Sequence, residues 1–432
     1  AYIDAALGKV AGDCSLNRLA GGAAAGDTHG VLHIGTPGGG VAEGPANAGC
    51  RAAEGFDFSR MVMCLILELD HQRTYILGGT TPPSLFFQLK QLFHILETLG
   101  SARIEGNRTT IAELVDRKLE SPSEDEKLRE IRNIDTALLF VEETWSRDPE
   151  TFRIDHGLIR ELHRLTTTDL SLSGEGDPNP GSYRAGPVRI ARSAHLPPDA
   201  GDVFSYMDEL LVFLNNPDAP KYDLLKIALA HHRFAWIHPF SNGNGRTVRL
   251  FTYALLLKTG FRVGGPRPAT RLLNPTAVFC SNRDNYYEML ALADTGTDEG
   301  LLSWCSYVLS GLKGELDKVG KLLDYDWLKK NILVPAITEL HQKNGISNHE
   351  RTILLLALDK VVIKNQDIRP ALNSMSMVQT SRIISEMRKQ QLLVPATGAE
   401  RSYEIGIAQS PLLRTVLRQL DRQGFLPLKG EI

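Results

Sequence analysis

The sequence predicts a mainly α-helical fold with one short β-hairpin and a small winged helix-turn-helix domain near its C-terminal end. Apolar residues recur at spacings of three and four over most of residues 83–320, which is the period of helices with one buried face. One breaker-rich stretch, residues 176–200, interrupts this pattern. It contains the alternating Val188 and Ile190, which predict a loop with one short hairpin.

Composition indicates a globular protein that folds in water. The 432 residues allow two or three domains, and 42% of them are hydrophobic and 23% charged. The longest strongly apolar run, residues 61–67, is far shorter than the ~20 residues that cross a bilayer, so no membrane partner is expected. A net charge of −3 gives no long-range attraction for nucleic acid. Five scattered cysteines and the lack of a charged-then-apolar leader favour the cytoplasm.

The N-terminal region changes character twice. Residues 1–55 contain 13 Gly and 13 Ala, so they gain little apolar burial and are predicted to be poorly ordered. The runs MVMCLILEL and TYILGG, within residues 61–79, favour strands or a short hairpin, with the start of a buried helix as the alternative. From Pro83 the apolar spacing is helical, and Gly100 is the expected C-cap.

Further helices are predicted along the chain, and the order of elements changes in its last hundred residues. The predicted helices cover about 108–120, 125–144, 156–169, 200–215, 221–236, 246–259, 283–293 and 299–320. Residues 350–405 then combine three helical runs with the probable hairpin LLVPATGAERSYEI, which is the order of a winged helix-turn-helix.

These patterns divide the chain into six predicted parts. They are a Gly/Ala-rich segment (1–55), N-terminal strands and helices (56–135), a helical core (136–312), a helical linker (313–345), a winged-helix domain (346–408) and a C-terminal helix (409–432).

The stretch HPFSNGNGRTVR, His238 to Arg249, carries the strongest chemical signal. Pro239 keeps His238 out of the helical region, and the Gly-Asn-Gly turn before the next helix allows a ligand to approach backbone amides that attract anions. Arg246 and Arg249, one turn apart, can add guanidinium donors. A single His or a single Gly-Asn-Gly is usually structural, but their combination favours a phosphate site. The lysine of a Walker A loop is absent.

This stretch closely resembles the motif HPFx[D/E]GNGRxxR of the Fic (filamentation induced by cAMP) family. The similarity extends over about residues 85–312, and includes PGSYRAGPVRI and HLPP, which resemble the two legs of the family's flap, and NYYEML, which resembles its helix beside the nucleotide. The resemblance implies a Fic-type helical core with a short β-hairpin flap. It also implies a nucleotidyltransferase that most often moves AMP from ATP to a Ser, Thr or Tyr hydroxyl of a target protein.

The resemblance also implies roles for individual residues. His238 would be the general base, and the backbone amides of Gly243, Asn244 and Gly245 would hold phosphates. Arg246 would assist them, and Arg249 would bind the γ-phosphate. At Asn242 the family usually has an Asp or Glu that binds Mg²⁺. An amide oxygen lacks that charge, so the expectation is a magnesium site that is weakened but not lost.

An inhibitory motif and a base pocket are implied as well. Ser101 and Glu105 match the family's inhibitory pattern [S/T]xxxE[G/N], in which the glutamate pairs with the second arginine, here Arg249. An ordinary capped helix start is the alternative, although a capping box would place the acid at position 104, which is Ile104. In some relatives this glutamate also supports removal of AMP. Ile190 and Tyr287 match positions beside the adenine, with ordinary packing as the alternative for Tyr287.

Several questions stay open at the level of sequence. The winged-helix segment 350–395 carries seven Lys or Arg and four acidic residues, a modest excess for DNA, so protein docking or a solvated face competes with DNA binding. A DNA-binding regulator with a degenerate or sensory nucleotide pocket is therefore the alternative to an enzyme. Transfer of UMP or GMP is the main rival within enzymes, since Asp294 replaces an Asn that contacts adenine in many relatives. A homodimer is one oligomeric state that the sequence allows.

Overall fold

The computed structural model describes residues 58–75, 79–116, 125–190, 193–261, 275–372, 375–396 and 401–426. The segment 1–55, which was predicted to be poorly ordered, lies outside these residues. Helices dominate the described chain, which confirms the mainly α fold class. None of the described helices combines the length and hydropathy of a membrane span.

The first four helices precede the motif region. They are α1 (Phe58–Tyr75), α2 (Pro83–Ile104), α3 (Ile111–Asp116) and α4 (Glu126–Arg147). The strands or hairpin predicted within 61–79 are wrong for the described residues, because α1 is a helix. Val62, Ile66 and Leu69 are buried and spaced by four and three, whereas Leu67 is 55% exposed. The apolar residues on the exposed face hid this helical period in the sequence.

Gly100 does not end α2, contrary to the prediction. The helix continues for one more turn to Ile104, and Glu105 is its C-cap residue. A Cβ at position 100 would lie 3.6 Å from the sulfur of Cys280, which is an ordinary van der Waals contact, so neither the backbone nor the packing requires glycine there. Ser101 and Glu105 consequently lie at the end of a continuous helix.

The predicted helices of the core are present. They are α5 (His156–Thr167), α6 (Val203–Asn215), α7 (Asp223–Ile237), α8 (Asn244–Lys258), α10 (Arg283–Asp294) and α11 (Asp298–Leu323), with 3-10 turns at Ala200–Asp202 and Pro220–Tyr222. A short helix that was not predicted, α9 (Pro275–Cys280), lies between α8 and α10. Helix α8 follows the motif loop and is buried on nearly every side, so it forms a fixed base for that loop.

The hairpin predicted within 176–200 is not formed among its described residues, which carry no strand. Its two legs are instead linked through the Arg184 guanidinium, which donates to the carbonyl groups of Gly186 and Pro198. Three prolines, Pro187, Pro197 and Pro198, cannot donate to a strand ladder, which disfavours pairing. We call residues 184–199 the flap, from its family counterpart.

The C-terminal part contains the predicted sequence of helices and hairpin. Its elements are α12 (Tyr325–Leu328), a π-helical turn (Lys329–Leu333), α13 (Val334–Gln342), α14 (Asn348–Lys360), β1 (Ile363–Lys364), α15 (Asn365–Ala371), α16 (Met377–Lys389), β2 (Leu393–Pro395), β3 (Ser402–Ile405) and α17 (Leu412–Arg422). The three strands form an antiparallel sheet in the order β1-β3-β2. Its assignment as a winged helix stays a prediction, as do the domain boundaries.

One apolar core runs through the described chain from Val62 in α1 to Leu426 after α17. A small second cluster joins Phe86 of α2 to Val319 of α11. The C-terminal elements are therefore packed onto the rest of the molecule.

Candidate nucleotide-binding site

The motif loop starts where α7 ends. His238 has φ 51° and ψ 61°, a left-handed conformation that ends the helix, and its N–H donates to the carbonyl of Phe234 (3.0 Å). Phe240 is fully buried and anchors the turn in the core. The backbone therefore holds the His238 side chain at the edge of the core.

The loop is closed by side-chain contacts to its own backbone. The Asn244 amide accepts from the N–H of Phe240 (3.0 Å) and donates to its carbonyl (2.9 Å). Gly243 has φ 72°, and a Cβ there would overlap the methyl group of Thr167. Glycine at 243 is thus required both by backbone conformation and by the approach of α5. The Asn244 side chain shapes the loop, so a phosphate would meet only its backbone.

Arg184 supports this loop from the flap, a role that the sequence analysis missed. Its backbone N–H donates to the carbonyl of Pro239 (2.9 Å), and its Nε donates to the carbonyl of His238 (2.9 Å). The same buried guanidinium reaches Gly186 and Pro198 in the flap. It therefore couples the position of the flap to that of His238.

A cavity of about 740 Å³ opens beside the loop. Helix α10 and the flap form its other walls, and Trp236 and His195 contribute to its lining. The lining includes nine residues that the sequence singled out: Glu105, Ile190, His238, Asn242, Gly243, Asn244, Gly245, Arg249 and Tyr287. A volume of this size suits a small ligand such as a nucleotide.

His238 faces this cavity in a state suited to accept a proton. Its Nδ1 lies 3.4 Å from the carbonyl of Ala235, which favours the tautomer with the proton on Nδ1 and leaves Nε2 as the acceptor. Burial lowers the pKa of His238 to about 4, although the contact with Ala235 opposes this shift. The imidazole is therefore neutral at pH 7.

The side chains of Arg249, Ser101 and Glu105 meet at the N-terminal end of α8. Arg249 Nη2 donates to Glu105 Oε1 (2.8 Å) and to the Ser101 carbonyl (2.9 Å), and Nε donates to Ser101 Oγ (2.9 Å). Nη1 is buried and has no hydrogen-bond partner among the described residues. Burial alone would raise the pKa of Glu105, but the charges of Arg249 and Arg246 outweigh it and lower the pKa. Glu105 is therefore an ionised carboxylate.

Gly245 makes room for that carboxylate. A Cβ at position 245 would overlap Glu105 Oε1 and would lie 3.2 Å from Arg249 Nη1. Glu105 thus lies directly against the backbone at the start of α8, where the amide groups of a helix attract anions. The carboxylate occupies the place that the sequence analysis assigned to phosphate.

Arg246 lies outside the cavity lining, in contrast to the predicted phosphate contact. Its side chain is fully buried, and its Nη2 donates to the carbonyl of Glu175 (2.6 Å) and pairs with the carboxylate of the same residue (3.0 Å). Glu130 Oε1 lies 3.6 Å from Nη1. These acidic side chains from two distant segments draw the guanidinium to the far side of α8.

Asn242 does not have the surroundings expected of a magnesium ligand. Its Nδ2 donates to the carbonyl groups of Gly174 and Gly176, both at 3.0 Å, and its Oδ1 accepts from the N–H of Gly243 (2.7 Å). The side chain of Asn242 thus connects two loops, and the residues around it do not fit the predicted metal.

Helix α10 lines the far wall. Tyr287 and Asp294, seven residues apart, both face the cavity, and Arg283 lies over the Tyr287 ring at 5.5 Å. Asp294 Oδ1 is 3.0 Å from His232 Nε2, so α7 holds the end of this wall in place. Ile190 reaches the cavity from the flap.

Comparisons with known proteins show similarity to Fic proteins. Residues 153–256 match the model of the Fic/DOC family. The chain is 31% identical over 202 residues to the protein adenylyltransferase Fic of Nematostella vectensis, which covers 45% of this chain and 42% of the relative. It is 29% identical over 209 residues to that of Aedes aegypti, covering 47% and 37%. The chain therefore matches less than half the length of these two relatives.

Solved structures of Fic proteins are also similar. A Fic family protein from Desulfovibrio desulfuricans G20 aligns with 21% identity and a TM-score of 0.45, over 79% of this chain and 95% of that chain. Fic-1 (residues 134–508) from C. elegans aligns with 20% identity and a TM-score of 0.44, over 60% of this chain and 72% of that chain.

The ionisation of His238 provides a test of the site geometry. We expect its imidazole to stay neutral from pH 8 down to pH 5, because burial lowers its pKa to about 4. The ring signals can be followed by NMR during a pH titration and assigned by comparison with His238→Gln. A titration midpoint between pH 6 and 7 would show that the imidazole is solvated and contradict the buried geometry.

Proposed function

We propose that the Fic domain formed by residues 153–256 belongs to an autoinhibited protein adenylyltransferase, which transfers AMP from ATP to a Ser, Thr or Tyr hydroxyl of a target protein. One observation carries the proposal: a neutral His238 and an anion-binding helix start, already occupied by the Glu105 carboxylate, line the same nucleotide-sized cavity.

The chain's own groups suffice to describe the transfer. The target hydroxyl loses its proton to His238 Nε2 while its oxygen attacks the α-phosphate of ATP. A bond forms between that oxygen and the α-phosphorus, the bond from the α-phosphorus to the bridging oxygen breaks, and pyrophosphate leaves. The backbone amides of Gly243, Asn244 and Gly245, together with Arg249, compensate the phosphate charge. The family resemblance implies Mg²⁺, but the surroundings of Asn242 do not fit it, so no step is assigned to a metal here.

Autoinhibition follows from competition for the same donors. The Glu105 carboxylate and a γ-phosphate are both anions, and both would bind Arg249 at the start of α8. They repel each other and cannot occupy one position. ATP with its γ-phosphate displaced would present the α-phosphate away from His238, so transfer requires Glu105 to move. Reversal of the reaction, supported by Glu105 as in some relatives, is part of the same proposal.

The residues that line the cavity suit a purine base. Tyr287 and Ile190 offer an aromatic and an aliphatic surface, and Asp294 offers a carboxylate at the end of α10. A carboxylate accepts hydrogen bonds from the amino group of adenine as well as from guanine. Asp294 therefore does not by itself select adenine over guanine, and GMP or UMP transfer has to be measured alongside AMP transfer.

A DNA-binding regulator is the second candidate, and the element order of residues 348–405 favours it. Helix α16 carries three basic residues that could meet phosphates, namely Arg382, Arg388 and Lys389. Arg388 lies over the ring of Tyr403 at 5.8 Å, and Lys389 lies 3.6 Å from Glu386, so two of the three already have partners within the chain. This weakens the case for DNA. The cytoplasmic location and a homodimer remain predictions.

Release of inhibition is the direct test of the proposed function. We expect Glu105→Gly to raise self-modification with α-labelled ATP by about 5- to 150-fold, the usual range for a coupling of this kind. Intact-protein mass spectrometry would identify the added nucleotide, and parallel reactions with labelled GTP and UTP would establish preference.

Two variants serve as controls for this experiment. Glu150→Gly alters an exposed acidic residue in a turn and should leave labelling unchanged. His238→Ala combined with Glu105→Gly should remove labelling. If Glu105→Gly binds ATP without transferring any nucleotide, the regulator becomes the better hypothesis.

A further inference from the structure

Every polar group of Asn242 is engaged by the protein itself. Beyond its three side-chain contacts, its backbone N–H donates to Asp177 Oδ2 (2.8 Å), and its carbonyl lies 3.1 Å from His163 Nε2. The side chains of Asp177 and His163 are 1% and 0% exposed. A loop residue held from five directions has little freedom to turn toward a ligand.

His163 strengthens the same contact region. Its Nδ1 accepts from the N–H of Gly181 (2.9 Å), so Nε2 carries the proton and donates to the Asn242 carbonyl. Its ring stacks on Phe240 with centroids 3.7 Å apart. Burial lowers the pKa of His163, which keeps this donor arrangement at neutral pH. His163 of α5 thereby contacts both chain neighbours of Ser241, namely Phe240 and Asn242.

An aspartate at 242 could not reproduce these contacts. A carboxylate has no N–H to give to the carbonyl groups of Gly174 and Gly176, and its charge would face two oxygen atoms. The oxygen that a metal would need already accepts from Gly243, whose left-handed conformation starts α8. The amide at this position therefore has a chemical task that a metal-binding acid cannot perform.

We propose that Asn242 is a positioning residue, whose amide fastens the segment Gly174–Asp177 to the motif loop, and that it is not a metal ligand. The effect of Asn242 on nucleotide transfer rests on the proposed function, whereas its hydrogen bonds to Gly174 and Gly176 do not. The same side chain orients the amide of Gly243, because its Oδ1 accepts from that N–H.

Asn242→Asp tests this proposal, with the exposed Asn216→Asp as the control for added charge. We expect Asn242→Asp to lower Tm by roughly 2–8 °C at pH 7, because two donors are lost. The deficit should shrink as the pH falls towards about 4, because the two carbonyl groups raise the pKa of a carboxyl at 242 above its usual value and a protonated carboxyl regains one donor. In the Glu105→Gly background we expect kcat to fall, with an unchanged Mg²⁺ concentration for half-maximal ATP binding.

Binding and stability are measured separately from transfer, so this test survives a failure of the proposed function. Calorimetric ATP titrations at graded Mg²⁺ report on the metal, and thermal unfolding reports on the fastening. If Asn242→Asp lowers the Mg²⁺ concentration needed for half-maximal ATP binding, the proposal is overturned whatever the change in Tm. An unchanged Tm would overturn it as well.

A second, independent observation concerns the other end of the inhibitory helix α2. Gln88 Nε2 donates to the carbonyl of Ile405 (2.9 Å), and its Oε1 accepts from the N–H of Ile407 (2.6 Å). One side chain thus pairs with two backbone groups at the end of β3. Strand β3 is the central strand of the C-terminal sheet.

The beginning of α2 is also tied to the end of α11. Thr81 Oγ1 donates to the Leu322 carbonyl (2.7 Å), and Phe86 packs against Val319. Between Gln88 and Glu105 the helix is continuous and spans about 25 Å, at 1.5 Å per residue. Leu89, Leu92 and Leu96 bury one face of it in the core. A rigid, packed helix transmits a shift at one end to the other.

From these contacts we infer that the C-terminal unit, residues 348–405, holds α2 in its inhibitory position through Gln88. Separation of β3 from Gln88 would loosen this hold on α2 and favour release of Glu105 from Arg249. The regulatory effect rests on the proposed function, but the restraint on α2 can be measured without it.

A double-mutant cycle tests this restraint. We expect Gln88→Ala to raise labelling of the otherwise unchanged protein several-fold, and to have no further effect in the Glu105→Gly background. Gln342→Ala, an exposed glutamine at the end of α13, is the matched control. Hydrogen exchange of residues 83–104 should become faster in Gln88→Ala alone.

The two readouts separate the possible failures. Faster exchange without any labelling, even in Glu105→Gly, would retain the restraint and reject the proposed function. Unchanged exchange in Gln88→Ala would overturn the restraint. An equal rise in labelling with and without Glu105 would also overturn it, since Gln88 would then act by another route.

Discussion

The buried guanidinium of Arg249 is the constraint on which the rest of the site depends. Its side chain is 2% exposed, and a buried cation is stable only beside an anion and hydrogen-bond acceptors. Glu105 and Ser101 supply them in this structure. If Glu105 leaves, the charge needs another anion at the same position, and a phosphate satisfies that need. In the proposed function, inhibition and nucleotide binding are therefore two ways of meeting one electrostatic requirement.

That requirement explains the small residues at the start of α8. Gly245 leaves the space in which the Glu105 carboxylate lies, and Gly243 allows α5 to approach the loop. Any side chain at 245 would exclude the carboxylate and a phosphate alike. The pocket thus depends on the absence of side chains at 243 and 245 as much as on Arg249. Arg249 Nη1, which has no hydrogen-bond partner among the described residues, would lie 3.2 Å from a Cβ at 245.

The sequence predicted most of the helices, because apolar spacing is visible in a linear chain, and its resemblance to the Fic family implied the grouping of Glu105, Arg249 and His238. It could not predict Arg184 or His163, whose partners are mostly backbone groups of other segments. It assigned similar roles to Arg246 and Arg249, which are one turn apart. Glu130 and Glu175 decide between them, since they hold Arg246 away from the cavity. Strands were favoured over a helix at α1 because Cys64 and Leu67 on its exposed face extend the apolar run.

The contacts at the two ends of α2 differ in strength, and this limits what the C-terminal unit can do. The two neutral hydrogen bonds of Gln88 contribute about 0.5–1.5 kcal/mol each. Their loss therefore shifts the equilibrium between the two positions of α2 by at most about 150-fold. A bound partner can shift this equilibrium only by its difference in affinity for the two states. In the proposed function, the buried, charge-assisted pair of Glu105 and Arg249 blocks the γ-phosphate directly, whereas Gln88 acts only through the position of α2. The C-terminal unit can then tune release without abolishing the inhibited state.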